Sequence, residues 1–117
     1  MPEMRNKKIL DEVRAQTLRP LLESLHVLLA GGDSSHIGAV GMACFGKLLH
    51  SWAFPGHREQ VVCKEWAARL SAVVFCNVTV ACGIHYDNAS KEQIDTIVTL
   101  SRAMLEMVIE QLKDRQI

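Results

Sequence analysis

The sequence lacks an excess of charge of either sign. Its 13 Lys and Arg residues are balanced by 13 Asp and Glu residues, which gives a formal net charge of +0 at pH 7. A balanced chain has no general attraction for the phosphates of nucleic acid or for an anionic membrane surface. Aromatic residues make up only 5% of the chain, and they are not interleaved with Lys or Arg as stacking on single-stranded nucleic acid requires. We therefore expect no nucleic-acid partner.

Long hydrophobic runs are also missing. No window approaches the roughly 18 apolar residues of a membrane span, and the first residues lack the continuous apolar core of a secretory signal. These absences predict a cytoplasmic protein with no membrane partner. The four cysteines, Cys44, Cys63, Cys76 and Cys82, follow no paired zinc or redox motif, so we expect buried thiols in a reducing compartment.

The sequence does contain enough apolar residues for one core. Hydrophobic residues are 49% and charged residues 22% of the 117 positions, which are ordinary values for a globular chain of this size. Gly and Pro cluster at three places instead of forming one linker, and no internal repeat is visible. The sequence therefore predicts a single domain over residues 1–117.

The C-terminal part has the clearest helical pattern. Ser90 and Gln93 have the spacing of a capping box, and apolar residues recur at helical spacing over positions 94–112. This pattern predicts a long C-terminal helix. Its Met104 and Met107 are expected to fill the core or to lie at a subunit interface.

Two further segments have a weaker helical pattern. A helix is predicted from near His57 to about Val74, because apolar and polar positions alternate at helical spacing there. In the N-terminal segment we favour a helix to about Leu18, interrupted by Pro20. The helix rests on the repeat of Ile9, Val13, Thr17 and Leu21 every four residues, whereas the alternation of Val13, Ala15 and Thr17 is what an edge strand would show.

Four short segments are rich in β-branched or aromatic residues and are bounded by Gly, Pro or Asn, which predicts strands. These are Leu25–Ala30, Ile37–Phe45, Leu48–Phe54 and Val74–Cys82, with Phe45-Gly46-Lys47 as a short hairpin turn. The order of elements indicates an α+β fold in which two helices pack on one face of a mostly antiparallel sheet.

Three predicted loops combine glycine with histidine. They are Gly31–Gly38, Pro55–Glu59 and Gly83–Ser90. Glycine can take a positive φ and so allow several backbone N–H groups to point at one anion, and the first turn of a helix attracts an anion through its unpaired donors and its dipole. If the loops converge, they form one site for a phosphorylated ligand.

Each loop also has a purely structural interpretation. The first can be a plain hairpin turn, Arg58 can pair with Glu59 or Glu65 at the surface, and His85 can be a structural residue near a strand end. The case for function is repetition, since three of the five histidines sit beside glycines at the ends of elements. The other two histidines lie inside predicted strands and carry no such signal.

His36, His57 and His85 could hold a zinc ion through three imidazoles, or they could bind phosphate and carbonyl oxygens. Spacing does not choose between these, because no His-x-x-x-His pair fixes two ligands on a helix. A hydrolase is less favoured, since the chain has no Gly-x-Ser-x-Gly motif and no acid is tied by spacing to a histidine. We assign no catalytic residue and no metal ligand.

As an ordered set, the motifs resemble the LpdD-like prenylated-flavin chaperone family. They are Gly31-Gly32-Asp33 with His36-Ile37-Gly38-Ala39-Val40, then Pro55-Gly56-His57-Arg58-Glu59, then Gly83-Ile84-His85-Tyr86-Asp87-Asn88 before a helix. The resemblance covers about Leu25 to Leu112, whereas the segment to about Glu23 does not match the opening strands expected of the family.

The resemblance implies a homodimer similar in fold to proteasome assembly chaperones. Such a protein binds reduced prenylated FMN and hands it to a UbiD-type decarboxylase, for example a gallate decarboxylase, without catalysing the reaction itself. The positions that match the motifs and are expected to contact the cofactor are Gly31, Gly32, His36, His57, Arg58, His85, Asp87 and Asn88. Among these, Arg58 and the region of His57 are assigned to the phosphate, and His36, His85 and Asn88 to the polar edge of the flavin or to an intervening ion.

Two other functions stay open at this point. One is a protein-interaction module without a small-molecule ligand, in which the long C-terminal helix forms the dimer or partner surface. The other is a small metal-dependent enzyme that uses the three histidines named above.

Overall fold

A computed structural model describes residues 14–18, 24–32, 37–54, 60–86 and 88–115. The described residues form five strands and two helices. The strands are β1 (Arg14–Leu18), β2 (Ser24–Gly32), β3 (Ala39–Cys44), β4 (Lys47–Ala53) and β5 (Asn77–His85), and the helices are α1 (Gln60–Val74) and α2 (Lys91–Arg115).

The five strands form one mixed sheet in the order β1-β2-β5-β3-β4. The β2–β5 pair is parallel, and the other three neighbouring pairs are antiparallel. The predicted α+β fold with a mostly antiparallel sheet is therefore confirmed. Strand β5 is last in sequence but central in space, so the hydrophobic side chains of a late segment complete a sheet begun early in the chain.

One face of the sheet is the core face. In β2 the buried residues Leu25, Val27 and Leu29 alternate with exposed ones, as a half-buried strand requires. On the core face, Val78, Val80, Cys82 and Ile84 of β5 join the same hydrophobic cluster as Leu105, Ile109 and Leu112 of α2. Both helices therefore contribute to the core on this side, and the prediction that they pack on one face is confirmed.

The opposite side of the sheet, which we call the open face, is covered by neither helix. Its residues occupy the positions between the core residues, and the register places them in rows across β2, β5, β3 and β4. They include His26, Leu28, Ala30, Thr79, Ala81, Gly83, Gly38, Val40, Met42, His50, Trp52 and Phe54, and a lower row of Ser24, Asn77, Cys44 and Lys47.

Helix α1 packs on β3, β4 and β5. Its buried residues recur at helical spacing: Val62, Cys63, Trp66, Ala67, Leu70, Ser71 and Val74. The contact with β3 is close, since a Cβ on Gly41 would lie 2.9 Å from the carbonyl oxygen of Cys63. The predicted helix is confirmed over 60–74, and positions 57–59 lie outside the described residues. Because α1 reaches Val74, β5 begins at Asn77 and not at Val74 as predicted.

Helix α2 begins with the predicted capping box. The Gln93 N–H donates to Ser90 Oγ at 3.1 Å, and the Ser90 N–H donates to Gln93 Oε1 at 2.8 Å. Met104 packs against the core as predicted, whereas Met107 is 64% exposed. Within the described residues, neither helix is long and apolar enough to cross a membrane.

The predicted N-terminal helix is wrong over its described part. Arg14–Leu18 form β1, an edge strand antiparallel to β2, with Arg14 opposite Ala30 and Leu18 opposite His26. The physical reason is tertiary, because an unpaired edge of β2 offers backbone donors and acceptors that outweigh a weak helical periodicity. The remainder of the predicted helix lies outside the described residues.

The predicted hairpin between β3 and β4 is confirmed, with Phe45 and Gly46 as its two turn residues. Both have positive φ, 49° and 82°, which matches the twist of the flanking strands. The Gly46 N–H donates to the Ser71 hydroxyl at 2.8 Å, and this bond fastens the turn to α1. Of the four cysteines, Cys63, Cys76 and Cys82 are buried as predicted, and Cys44 is half-buried.

Candidate functional site

Three strand ends meet at one edge of the sheet. β2 and β5 are parallel and end together, with Gly32 opposite His85. β4 ends at the same level, because its neighbour β3 starts there with Ala39 opposite both Cys82 and Ala53. We call this the upper edge and define it by Gly32, Gly38, Phe54 and His85.

Backbone hydrogen bonds hold the upper edge together. The Gly38 N–H donates to the Cys82 carbonyl oxygen at 2.8 Å, and the Phe54 N–H donates to the Gly38 carbonyl oxygen at 2.8 Å. The strand ends that flank all three predicted loops are therefore neighbours. The described residues on either side of the loops converge, although the loops lie far apart in the sequence.

Gly31, Gly32 and His85 belong to strands, not to loops as predicted. β2 continues through both glycines because they pair with Ile84 and His85 of β5, which extends past the predicted end at Cys82. Gly32 has a φ of 92°, and a Cβ there would overlap the His85 carbonyl oxygen and lie 2.7 Å from the carbonyl carbon. Glycine thus allows the two backbones to approach closely at the upper edge.

The interpretation of the first loop as a plain hairpin turn is wrong. β2 and β3 are consecutive in the sequence, but β5 lies between them in the sheet. The chain therefore leaves β2 on one side of the end of β5 and enters β3 on the other side. This topology places the flanks of the first and third loops at the same point.

Both helices begin at the upper edge. α1 follows β4, and the Gln60 side chain donates to the Ser51 hydroxyl at 2.9 Å, which fixes the start of the helix beside that strand. α2 follows β5 and is capped by Ser90. Two parallel helix N-termini at one edge give it a positive electrostatic potential, which favours an anion such as phosphate.

Two ion pairs join the parallel helices. Arg69 contacts Glu106 at 2.5 Å, and Arg102 contacts Glu65 at 3.1 Å. The hydrogen bond to Glu106 raises the pKa of Arg69, and the same bond lowers the pKa of the Glu106 carboxyl group. Since Glu65 is bound by Arg102, the surface pairing considered for Arg58 has a competitor on α2.

The expected contact residues divide into two groups. Within the described part of the chain, Gly31, Gly32 and His85 lie in the strands at the upper edge. Asn88 is exposed, has a φ of 55° and stands two residues before the cap of α2. His36, His57, Arg58 and Asp87 lie outside the described residues.

An aromatic pair at the upper edge was missed by the sequence reasoning. Trp52 and Phe54 lie 4.2 Å apart between ring centroids at an interplanar angle of 76°, and they are 48% and 43% exposed. Their spacing of two within a predicted strand is a usable signal, because it places both rings on the same face. The pair lies where the upper edge meets the open face.

The metal hypothesis receives no support from the described part of the chain. No group of three His, Cys, Asp or Glu residues there is arranged to hold a metal ion. Of the three histidines in that hypothesis, only His85 is described, and it is half-buried.

Comparison with known proteins gives the family. The family model of the prenylated flavin chaperone LpdD-like domain matches residues 12–113. No curated protein matches the chain. The chain therefore belongs to the prenylated flavin chaperone LpdD-like family, as the motifs predicted. The match begins before Leu25, where the resemblance was expected to start, so it includes β1.

Proposed function

We propose that this chain binds reduced prenylated FMN at the upper edge and delivers it to a UbiD-type decarboxylase. In this proposal the chain is a homodimer, and it carries the cofactor without catalysing a reaction. Membership of the prenylated flavin chaperone family supports a flavin ligand. The chemistry that the cofactor supplies belongs to the enzyme that receives it.

The observation that carries the proposal is the convergence at the upper edge. A flavin mononucleotide needs an anion site for its phosphate. The starts of the two helices at the upper edge supply a favourable potential for it. The upper edge therefore fits the phosphate of the group.

We assign the phosphate to His57 and Arg58, which immediately precede the start of α1 in the sequence. A guanidinium group can bind phosphate through two parallel hydrogen bonds, and the helix dipole adds to its charge. His36, His85 and Asn88 are assigned to the polar edge of the flavin, with Asp87 beside them. Gly31 and Gly32 are assigned to backbone contact with the ligand, at the end of β2.

A carrier differs from an enzyme in what its site must do. It must hold the cofactor well enough to protect it and release it to a partner, which requires moderate affinity and a site open on one side. Within the described residues, no strand continues the sheet beyond this edge. The exposed position of Asn88 is consistent with such an open site.

Anaerobic titration with reduced prenylated FMN, compared with FMN, tests the proposal. We expect the wild type to bind the reduced prenylated form, and His57→Ala and His85→Ala to stay folded but no longer retain it through gel filtration. His50→Ala is the matched control, because it removes an exposed imidazole from the middle of β4, away from the upper edge. Unchanged retention by both site variants would refute the assignment, and equal binding of FMN would refute the ligand.

A further inference from the structure

Three large apolar side chains are exposed together at the upper edge. Ile37 is 48% exposed, Trp52 is 48% exposed and Phe54 is 43% exposed. Ile37 directly precedes Gly38, whose carbonyl oxygen accepts a hydrogen bond from the Phe54 N–H at 2.8 Å, and the Phe54 ring contacts the Trp52 ring. We call Ile37, Trp52 and Phe54 the apolar rim.

The apolar rim has the character of a binding surface. Single exposed apolar residues are ordinary, whereas a group of them beside polar residues is typical of a ligand site. The polar neighbours at this edge are the half-buried His85 and the exposed Asn88. The two aromatic rings pack on each other at an interplanar angle of 76°, which holds both in place while leaving them exposed.

The residues already assigned to the cofactor leave its apolar part without a contact. All of them are polar, charged or glycine, and they are assigned to the phosphate, to the polar edge of the flavin and to backbone contact. A prenylated flavin also carries a flat ring system and an apolar prenyl group. Sites for such ligands are lined mainly by apolar and aromatic side chains, with a few polar groups that fix the orientation. The apolar rim supplies such a lining at the same edge.

We infer that the apolar rim contacts the prenyl-bearing side of the ring system of reduced prenylated FMN and determines the preference for this form over FMN. The inference rests on the proposed function. Each CH₂ group that leaves water for an apolar surface lowers Kd by roughly fourfold. FMN lacks the prenyl carbons, so it gains less from the same surface.

Phe45 provides a matched control position on the same hairpin. It is 67% exposed in the turn between β3 and β4. The six residues of β3 separate this turn from the upper edge, which corresponds to about 20 Å. Phe45→Ala therefore removes the same exposed ring as Phe54→Ala, but at the far end of the strands.

Anaerobic titration with reduced prenylated FMN and with reduced FMN tests the inference. Trp52→Ala and Phe54→Ala should each raise the Kd for the prenylated form by at least roughly 10-fold, and the Kd for FMN by no more than roughly threefold. Phe45→Ala should change neither value. Circular dichroism should show that all three variants fold, since each removed side chain is at least 43% exposed.

The outcomes separate this inference from the proposed function. Unchanged Kd values in both rim variants, with a wild type that binds the prenylated form, would overturn the inference alone. An equal loss of both forms would overturn the assignment to the prenyl group. A wild type that binds neither form would overturn the proposed function as well. Sedimentation adds a further check, because cofactor loss that accompanies a fall in mass below that of the wild type would assign the rim to a contact between chains and overturn the inference.

The two tryptophans give a readout in the wild type. Trp66 is 1% exposed in the core, and Trp52→Phe assigns the two indole N–H signals in a heteronuclear NMR spectrum. Reduced prenylated FMN should shift the Trp52 signal through the ring current of the flavin, and it should move the Trp66 signal less. An unshifted Trp52 signal in a chain saturated with the cofactor would overturn the inference.

Discussion

At the scale of single residues, Gly32 allows β2 and β5 to approach closely where both strands end at the upper edge. Its backbone has a φ of 92°, and the space where a Cβ would stand is taken by the main chain of His85. The constraint comes from backbone atoms of a strand more than 50 residues away in sequence. Side chains can move aside more easily than a hydrogen-bonded strand can, so this position is intolerant of any side chain.

Gly32→Ala is expected to lower the free energy of unfolding by about 3 kcal/mol, because it combines an unfavourable φ with an overlap of backbone atoms. Gly46→Ala is the control, since φ is also positive there but the nearest atom is the Ala72 Cβ at 3.3 Å. It should cost only about 1 kcal/mol. Urea unfolding measures both, and equal costs would contradict the role given to the contact with His85.

Sequence reasoning selected Gly31, Gly32 and His85, which lie together at the upper edge, but placed them in loops. Glycine usually marks a turn, so the local pattern favoured that interpretation. The glycines stay in a strand because they pair with Ile84 and His85. The register between two distant segments cannot be read from the local sequence of either one.

At the scale of elements, the two helices act as a parallel pair. Glu65 of α1 contacts Arg102 of α2, and Arg69 of α1 contacts Glu106 of α2. The contacts follow the same order along both helices, so the helices are parallel. Parallel packing brings both N-termini to the upper edge, where their dipoles add. The ion pairs are exposed, so each contributes little to the stability of the fold.

The Glu106 pair gives stability a small dependence on pH. The pKa of Glu106 is lowered in the folded chain, so its contribution is present above the ordinary value of 4.5 and is lost as the pH falls through the lowered pKa. Glu106→Gln should therefore destabilise the chain at pH 7 and have a smaller effect at about pH 3.

Glu110→Gln is the matched control for this prediction. Within the described residues, Glu110 pairs inside its own helix, with Lys113 at 3.9 Å, so its effect at pH 7 should be smaller. Thermal unfolding at the two pH values measures all three proteins. An effect of Glu106→Gln that persists undiminished at low pH would contradict the ion pair as its cause.

Strand β1 shows a limit of predicting secondary structure from the local sequence. The segment had both a four-residue and a two-residue periodicity, and its helical interpretation was wrong over Arg14–Leu18. Pairing with the edge of β2 favours the strand over the helix, and a local sequence pattern carries no information about that pairing. In contrast, the cap and periodicity of α2 are local, and the helix was predicted correctly.

At the scale of the whole molecule, the position of β5 decides which loops are neighbours. Because β5 runs parallel to β2 and lies between β2 and β3, the ends of β2 and β5 and the start of β3 are adjacent at one edge, where the two helices also begin. The opposite side of the same sheet is covered by neither helix.

Cofactor binding should stabilise the whole domain. At a free concentration about 100-fold above Kd, reduced prenylated FMN should add about 2.7 kcal/mol, which raises the Tm by roughly 10 °C in a domain of this size. FMN and the His85→Ala variant are the controls and should show little shift. An equal shift with FMN, or none with the reduced prenylated form, would contradict the proposed ligand.

The sequence by itself determined the fold class, both helices within their described parts, the hairpin at Phe45-Gly46 and the family. Each of these depends on local periodicity, on turn residues or on an ordered set of motifs. Only the tertiary structure decided the strand order, the extension of β2 and β5 through Gly32 and His85, and the uncovered open face. These depend on pairing between segments far apart in the chain, and the free energy of such pairing is a property of two surfaces in contact, not of either sequence segment alone.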